Sequence, residues 1–520
     1  MKNTMNRDAH MDSTENKIKA VEALADILAE EQAAGRAVVI AGGVFDLFHY
    51  GHLRHLQAAK QEGDTLVVLV TCDAHAGKAP GRPVFSEHMR AEMVAAQGIV
   101  DWVVINPHPG AEQIIEVLKP DVYVKGSEYT NPEDDVTGRI VTERESVEKH
   151  GGKIVFTEEV TFSSSNLINQ NLRVFDPSLR EHLHDLRQDG GLERVLNLIE
   201  GVRDYRVLVV GDTIIDDYVY ANPMGKSPKE NIIATRYEED EMFAGGVIAV
   251  ANVLASICGS VDVVTVLGAV DSHRELVESS IKENISLTLL ERPSAPTTRK
   301  QRFIEPTYVK KLFEVYFMDD SPLPPEVETQ LNDIIAERAA EYDLVVVTDF
   351  GHGMLCPSTI ALLAEKAKFL AVNAQSNSAN LGYNLITRYP RADYVCIDTH
   401  EARLAVGDKF KETADIISED LSRQIDCDKI TVTLGSEGCI TFEKDGGAHE
   451  VPAVASSPVD TVGAGDAFFA ITAPIVASGA TMKDAGFIGN IAGGLKINIV
   501  GHRRSVEKAG LVKTAKALLK

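Results

Sequence analysis

Two imidazoles stand three positions apart, with a glycine between them, in Val44-Phe45-Asp46-Leu47-Phe48-His49-Tyr50-Gly51-His52, directly after the apolar run Ala37-Val38-Val39-Ile40-Ala41-Gly42-Gly43. A strand turning into a helix over Leu53–Lys60 puts both rings at the helix mouth, where free amides and the positive dipole end hold an anion. That suits a triphosphate under nucleophilic attack. Taken alone, the H-x-G-H pattern is equally a helix cap with one buried histidine. A second constellation is Asp460-Thr461-Val462-Gly463-Ala464-Gly465-Asp466. Its glycines let the backbone close on a phosphate at the N-terminus of a helix Ala467–Ala477, and Asp466 lies where a carboxylate can take a proton from an attacking hydroxyl.

Two series of apolar, strand-like runs alternating with helical patterns must position these groups, which predicts two α/β domains, each doubly wound. The first series has strands at Ala37–Ala41, Thr65–Thr71, Asp101–Ile105, Asp121–Val124 and Lys153–Thr157. The second opens at Arg206-Val207-Leu208-Val209-Val210-Gly211-Asp212 and continues near Val261–Leu267, Leu344–Thr348, Phe369–Val372, Tyr394–Ile397 and Ile430–Leu434. The expected organisation is a disordered tail and leading helix over 1–35, a first domain over 36–170, a helical linker over 171–205 and a second domain over 206–520.

At 520 residues the chain can bury a core in each domain. Its formal charge of −25 argues against a nucleic-acid or anionic-membrane binder. The six cysteines fall in no metal-ligand or C-x-x-C spacing, which points to reduced thiols and a cytoplasmic location. No run is long and apolar enough to span a bilayer.

Over 36–170 the chain resembles the cytidylyltransferase-like nucleotidyltransferases. The likeness is carried, in order, by His49–His52, Asp73, Lys78, Arg82-Pro83-Val84, Arg90, Asp101–Val104, Lys125-Gly126-Ser127-Glu128-Tyr129 and Ser163-Ser164-Ser165. The resemblance implies a Rossmann-like domain in which His49, His52 and Lys78 stabilise charge on the phosphates. Gly43, Phe45, Asp73, Arg90, Lys125, Gly126, Ser163, Ser164 and Ser165 would bind the nucleotide, and Asp46 and Arg82 the substrate. Arg90 has a plainer reading as a partner of Glu87, one turn back on its helix.

Over 206–520 the chain resembles the ribokinase-like sugar kinases, with a small β lid over about 218–237 and 298–315 and an implied homo-oligomer, a dimer, paired through it. This resemblance makes Asp466 the catalytic base and assigns nucleotide contacts to Thr433, Gly435, Gly438, Gly463, Ala464, Gly465 and Asn490. It gives sugar contacts to Asp212, Asp216, Gly245 and Gly246, and Glu401 to a metal-bound water. A carboxylate stabilising its own helix is an equally good reading of Glu401.

Both modules in one chain resemble the bifunctional heptose-7-phosphate kinase/heptose-1-phosphate adenylyltransferases, with the domain order reversed. That resemblance implies ATP, or CTP in the transferase, with Mg²⁺ held through the nucleotide, and sugar phosphates as the small-molecule partners on the way to ADP-heptose. Four positions depart from the family: Ala249 replaces an asparagine, His352 a lysine, Asn373-Ala374-Gln375 an Asp-Pro-Lys turn, and Asp398 the asparagine of Asn-x-x-Glu. The alternatives are a CTP-dependent transferase acting on another sugar or polyol phosphate, and a kinase fold that has lapsed into a sensor or dimerisation module.

Overall fold

A computed structural model describes residues 14–76, 83–126, 139–157, 176–455 and 458–519. The chain divides into two compact bodies, the change falling at Asp176 and Pro177. In the first body five strands, β1 (Val38–Gly43), β2 (Thr65–Thr71), β3 (Trp102–Asn106), β4 (Val122–Gly126) and β5 (Lys153–Thr157), form an all-parallel sheet in the order β3-β2-β1-β4-β5. These strands are apolar on both faces because helices cover both. Val39, Val68 and Val124 pack with the helix Tyr50–Gln61 on one side, and Ile40, Val67 and Tyr123 with the helix Val21–Ala33 on the other. The strand order reverses at β1, so the loop leaving β1 opens at the crevice where α/β sheets take their ligands.

The leading helix was expected beside a disordered tail. Val21–Ala33 instead belongs to the first core, with Leu24 and Leu28 fully buried there. Of the expected linker over 171–205, the residues from Pro177 onward pack with the second body. The helices Pro177–Gln188 and Gly191–Gly201 each bury one apolar stripe in the second body, and Arg194 makes a two-pronged contact with the buried Asp484 at 2.9 and 3.2 Å.

The second body contains β6 (Arg206–Gly211), β7 (Thr213–Lys226), β8 (Ile233–Gly246), β9 (Ser260–Val270), β10 (Ile285–Pro296), β11 (Arg299–Glu305), β12 (Lys310–Phe317) and β13 (Leu344–Asp349). β14 (Leu370–Ala374), β15 (Tyr394–Asp398), β16 (Lys429–Thr433), β17 (Gly438–Glu443) and β18 (Gly447–Pro452) complete it. Nine of them make one sheet, β10-β9-β6-β13-β14-β15-β16-β17-β18, parallel as far as β16 and closed by two antiparallel strands. The other four form a small sheet, β12-β11-β7-β8, in the region expected for the lid. Both bodies are α/β, the first Rossmann-like and the second ribokinase-like.

Candidate active sites

In the first body the loop after β1 is held in an unusual shape. Phe45 and Leu47 both take positive φ, 54° and 47°, a conformation that costs a side-chain-bearing residue on the order of 1 kcal/mol or more. Arg90 imposes it. Wholly buried, its guanidinium donates to Phe85 O at 2.9 Å, to Val44 O at 2.5 Å and to Asp73 Oδ1 at 2.7 Å. Arg90, expected on the nucleotide, thus ties the loop to Phe85 and Asp73, and its acidic partner is Asp73 and not Glu87. Glu87 instead receives the Asp73 amide at 2.7 Å. Asp46 is buried too, accepting from the Val84 amide at 2.9 Å, which makes it a second brace.

The brace delivers the two histidines. His49 caps the helix Tyr50–Gln61, its Nδ1 accepting from Gly51 N at 3.1 Å, and its ring stacks on His52 with 3.9 Å between centroids. Phe45 meets the His52 ring edge-on at 5.3 Å, and a Cβ on Gly43 would come within 3.0 Å of the Phe45 ring. The helix starts at Tyr50, three residues earlier than the apolar pattern indicated, because the cap lies at His49. Lys125, expected on the nucleotide, is paired with the buried Glu143 at 2.9 Å, while Gly126 ends β4 beside it. Lys78, Arg82, Ser163, Ser164 and Ser165 lie outside the described residues.

In the second body Gly463, with φ of 73°, caps the helix Ala464–Ala477 and turns the chain so that Asp466 falls in its first turn. A Cβ on Gly465 would meet nothing within 4 Å, so this turn presents open backbone, as an anion hole requires. Lys496 supports it from beneath, donating to Val462 O at 2.8 Å and Gly501 O at 2.7 Å. Asp460 ties the turn to the small sheet. It accepts from Tyr218 at 2.8 Å, Lys311 at 2.9 Å, and the amides of Gly501 and Val462 at 2.9 and 3.1 Å. Burial works to raise its pKa, but these donors outweigh burial and hold it down at about 2. Asp466 itself shifts upward through burial, with His502 and Gln375 opposing.

The expected sugar residues converge here. Asp216 bridges Arg302 and His502, the latter at 3.2 Å, and these two partners keep its pKa below the usual range despite burial. Asp212 accepts from Phe350 N at 2.9 Å, and burial together with Asp349 lifts its pKa to about 7. Gly245 and Gly246 are sterically required: a Cβ would lie 2.1 Å from Asp216 Oδ2 at the first and 2.4 Å from Asp212 O at the second. Lys496, His502 and Gln375 join these residues at the site without a sequence motif of their own. His502-Arg503-Arg504, a basic run in an acidic chain, was the available signal for the second of them.

Three further sets of expected site residues have well-defined protein partners. Asn490, expected on the nucleotide, is buried and donates to Val451 O and Pro452 O at 3.0 and 3.1 Å, pinning the helix Met482–Lys496 to β18. Glu401 forms a capping box with Asp398, its two oxygens accepting from Asp398 N at 2.8 Å and Ser376 N at 3.0 Å. Among the described residues no three His, Cys, Asp or Glu side chains could hold a metal ion, so no metal cage is built around Glu401. Thr433, Gly435 and Gly438 shape the turn from β16 to β17, and Gly438, with φ of 108°, would place a Cβ 2.1 Å from Val451 O. All six cysteines are free and buried, and among the described residues no helix is long and apolar enough to cross a membrane.

Comparison with known proteins agrees with both geometries. A cytidylyltransferase-like family model matches residues 40–171, and the model of pfkB family carbohydrate kinases matches residues 205–509. The chain is 41% identical over 172 residues to "Bifunctional protein HldE" of Geobacter metallireducens, covering 32% of this chain and 33% of the relative. It is 25% identical over 311 residues to the protein of that name from Citrifermentans bemidjiense, covering 59% and 63%. The matches thus span about a third to just under two thirds of these curated relatives. Phosphofructokinase-2 from Escherichia coli superposes with a TM-score of 0.50 at 16% identity, over 61% of this chain and all of that one, a likeness of fold. With more than half of its length matching the kinase model, around the very turn that presents Asp466, the chain belongs to the pfkB family of carbohydrate kinases and carries a cytidylyltransferase-like domain ahead of it.

Proposed function

We propose that this chain is a two-activity enzyme of nucleotide-sugar synthesis. The first body transfers a nucleotidyl group from ATP, or CTP, to a sugar 1-phosphate, releasing pyrophosphate. The second phosphorylates a sugar phosphate with ATP. The names of the bifunctional relatives and the motif order favour heptose 1-phosphate and heptose 7-phosphate, the latter phosphorylated at C1. The observation that carries this reading is the occurrence, in one chain, of a stacked histidine pair at a helix mouth and a carboxylate in the first turn of an anion-binding helix.

In the first body the sugar phosphate oxygen attacks the α-phosphorus while the imidazoles of His49 and His52 neutralise charge growing on the phosphates. Catalysis there is mostly positioning and electrostatics. In the second, Asp466 accepts the proton of the C1 hydroxyl as its oxygen attacks the γ-phosphorus of ATP, and the amides at Gly463–Asp466 receive the negative charge. Mg²⁺ enters as part of the nucleotide substrate, since the described residues offer it no cage. A homo-oligomer paired through the small sheet and a cytoplasmic location complete the proposal.

The test measures each activity alone. Pyrophosphate release from ATP and heptose 1-phosphate is expected to fall at least about 100-fold in His49→Ala and in His52→Ala, with the far-ultraviolet spectrum and ADP formation from heptose 7-phosphate retained. Near-normal pyrophosphate release in either variant refutes the transferase assignment. A wild type that prefers CTP and another phosphate replaces the substrate but keeps the reaction class.

A further inference from the structure

A cavity of about 230 Å³ lies beside Asp466, walled by Ala249 and Asn252 of the helix Val247–Leu254, by Lys282 and by the segment from His502 to Ser505. Its charged lining is one carboxylate, Asp466, against five basic side chains: Lys282, Lys496, His502, Arg503 and Arg504. In a chain of net charge −25 such a local surplus of cations makes a field organised for an anion.

Four of the five are already engaged. Lys496 holds backbone carbonyls, His502 faces Asp216 at 3.2 Å, Lys282 pairs with Glu507 at 2.8 Å and Arg503 with Glu241 at 2.5 Å. Arg504 makes no ion pair or side-chain hydrogen bond among the described residues, so its planar fork of donors is open to a ligand. His502 fixes the base of this segment: a Cβ on Gly463 would lie 2.8 Å from its Cε1, and one on Gly245 3.4 Å from its Nε2.

One departure from the family pattern, Ala249, lines the cavity. Its methyl group stands where the resemblance has an asparagine whose amide would occupy part of the space. The position where that pattern has a lysine is His352, buried, with neither ring nitrogen hydrogen-bonded among the described residues. Burial and the neighbouring Lys300 push its pKa down to about 3, so it carries no charge to offer an anion.

We infer that this cavity is a subsite for a phosphate borne on a sugar carbon remote from the hydroxyl that Asp466 activates, with Arg504 as its principal anchor. The inference rests on the sugar-kinase reading of the second body. It makes Arg504 a specificity-determining residue: a guanidinium grips the phosphate bidentately, and Ala249 leaves room for the carbon chain that carries it.

The experiment is titration calorimetry of the full chain with heptose 7-phosphate, with unphosphorylated heptose and with inorganic phosphate, alongside ADP formation from both sugars. Wild type is expected to bind the phosphosugar at least about tenfold tighter than its parent. Arg504→Gln, at an exposed position where misfolding is not expected, removes about tenfold of that preference, Arg504→Lys restores part of it, and Ala249→Asn weakens the phosphosugar selectively. An unchanged preference in Arg504→Gln overturns the subsite, as does a wild type that binds neither phosphosugar nor phosphate. Turnover separates the two readings. A wild type whose preference depends on Arg504 but which forms no ADP keeps the subsite and refutes the kinase. A wild type that turns over while Arg504→Gln behaves identically refutes the subsite alone.

Discussion

The side-chain amide of Gln375 donates to Asp466 Oδ1 at 2.6 Å, and the backbone of Gln375 is itself fixed, its N–H bonded to Asp349 O at 2.8 Å and its carbonyl to Asn384 Nδ2 at 3.2 Å. One carboxylate oxygen is thereby held from the end of β14, leaving the other for the hydroxyl proton. A neutral amide orients the base without the strong lowering of its pKa that a lysine at this place would bring.

Replacing Gln375 tests that relationship through the pH profile. Burial raises the pKa of Asp466 and the Gln375 hydrogen bond opposes it, so Gln375→Leu raises it further. The base must be ionised to act, and the acid limb of kcat for sugar phosphorylation is expected to move up. Gln375→Lys is expected to move the same limb down. Identical acid limbs in all three proteins would show that Gln375 is mere packing.

Asp466→Asn is expected to lower sugar phosphorylation by about 10³-fold, within the range general-base catalysis supplies, and to leave pyrophosphate release untouched. It should also stabilise the second body. A buried carboxylate with a raised pKa contributes stability at low pH that is lost as pH rises through its folded pKa. The amide variant escapes that loss, so its Tm should exceed that of wild type near pH 8. A lower Tm at that pH would mean that the ionised carboxylate is better satisfied than its surroundings indicate.

The five strands of the first sheet and the six parallel strands read in the second are legible because each carries a continuous apolar run, which in the central strands marks burial on both faces. The glycine-rich turn before Asp466 was legible for a similar reason, since glycines at such spacing leave few alternatives. Roles were harder to read. Arg90 carries the sequence signature of a phosphate contact, and only the fold shows that its guanidinium faces Val44 and Phe85 O. Asn490 looks equally available on its helix, yet β18 carbonyls claim it. The helices Pro177–Gln188 and Gly191–Gly201 read as a linker from sequence because they lie between the two strand series, although each buries one stripe. His502 was missed because its partner, Asp216, lies hundreds of residues away in sequence, and no local pattern encodes that meeting.

The clamp role of Arg90 is open to a stability measurement. Arg90→Met keeps the side-chain bulk but removes three hydrogen bonds that fix the positive-φ loop at Phe45 and Leu47. Losing a fully buried guanidinium that ties three loops is expected to cost the first body on the order of 3 kcal/mol in chemical denaturation. Arg90→Lys should rescue little, because one ammonium cannot reach Phe85 O, Val44 O and Asp73 together. If Arg90→Met instead kept full stability while raising KM for ATP, Arg90 would be a nucleotide contact after all.

Asp212 makes the pH dependence of the second body testable. Its carboxyl, near 3.9 in an unfolded chain, is lifted to about 7 by burial and by the charge of Asp349. The sign follows from linkage: the unfolded state gives up this proton first, so the stability associated with Asp212 is complete below about pH 4 and is lost as pH rises to about 7. Three pKa units would correspond to about 4 kcal/mol, an upper bound because Asp349 shares the strain and an asparagine gives up the charge-assisted bond to Phe350 N. Asp212→Asn is therefore expected to gain on wild type by about 1–2 kcal/mol between pH 4 and pH 8 in parallel denaturation curves. Sugar binding, measured at pH 8, should weaken in the same variant, because the carboxylate that destabilises the empty fold is the one positioned to accept hydroxyl hydrogen bonds. A stability difference that stays flat with pH would place the ionised carboxylate in a better-satisfied environment than its burial and Asp349 allow.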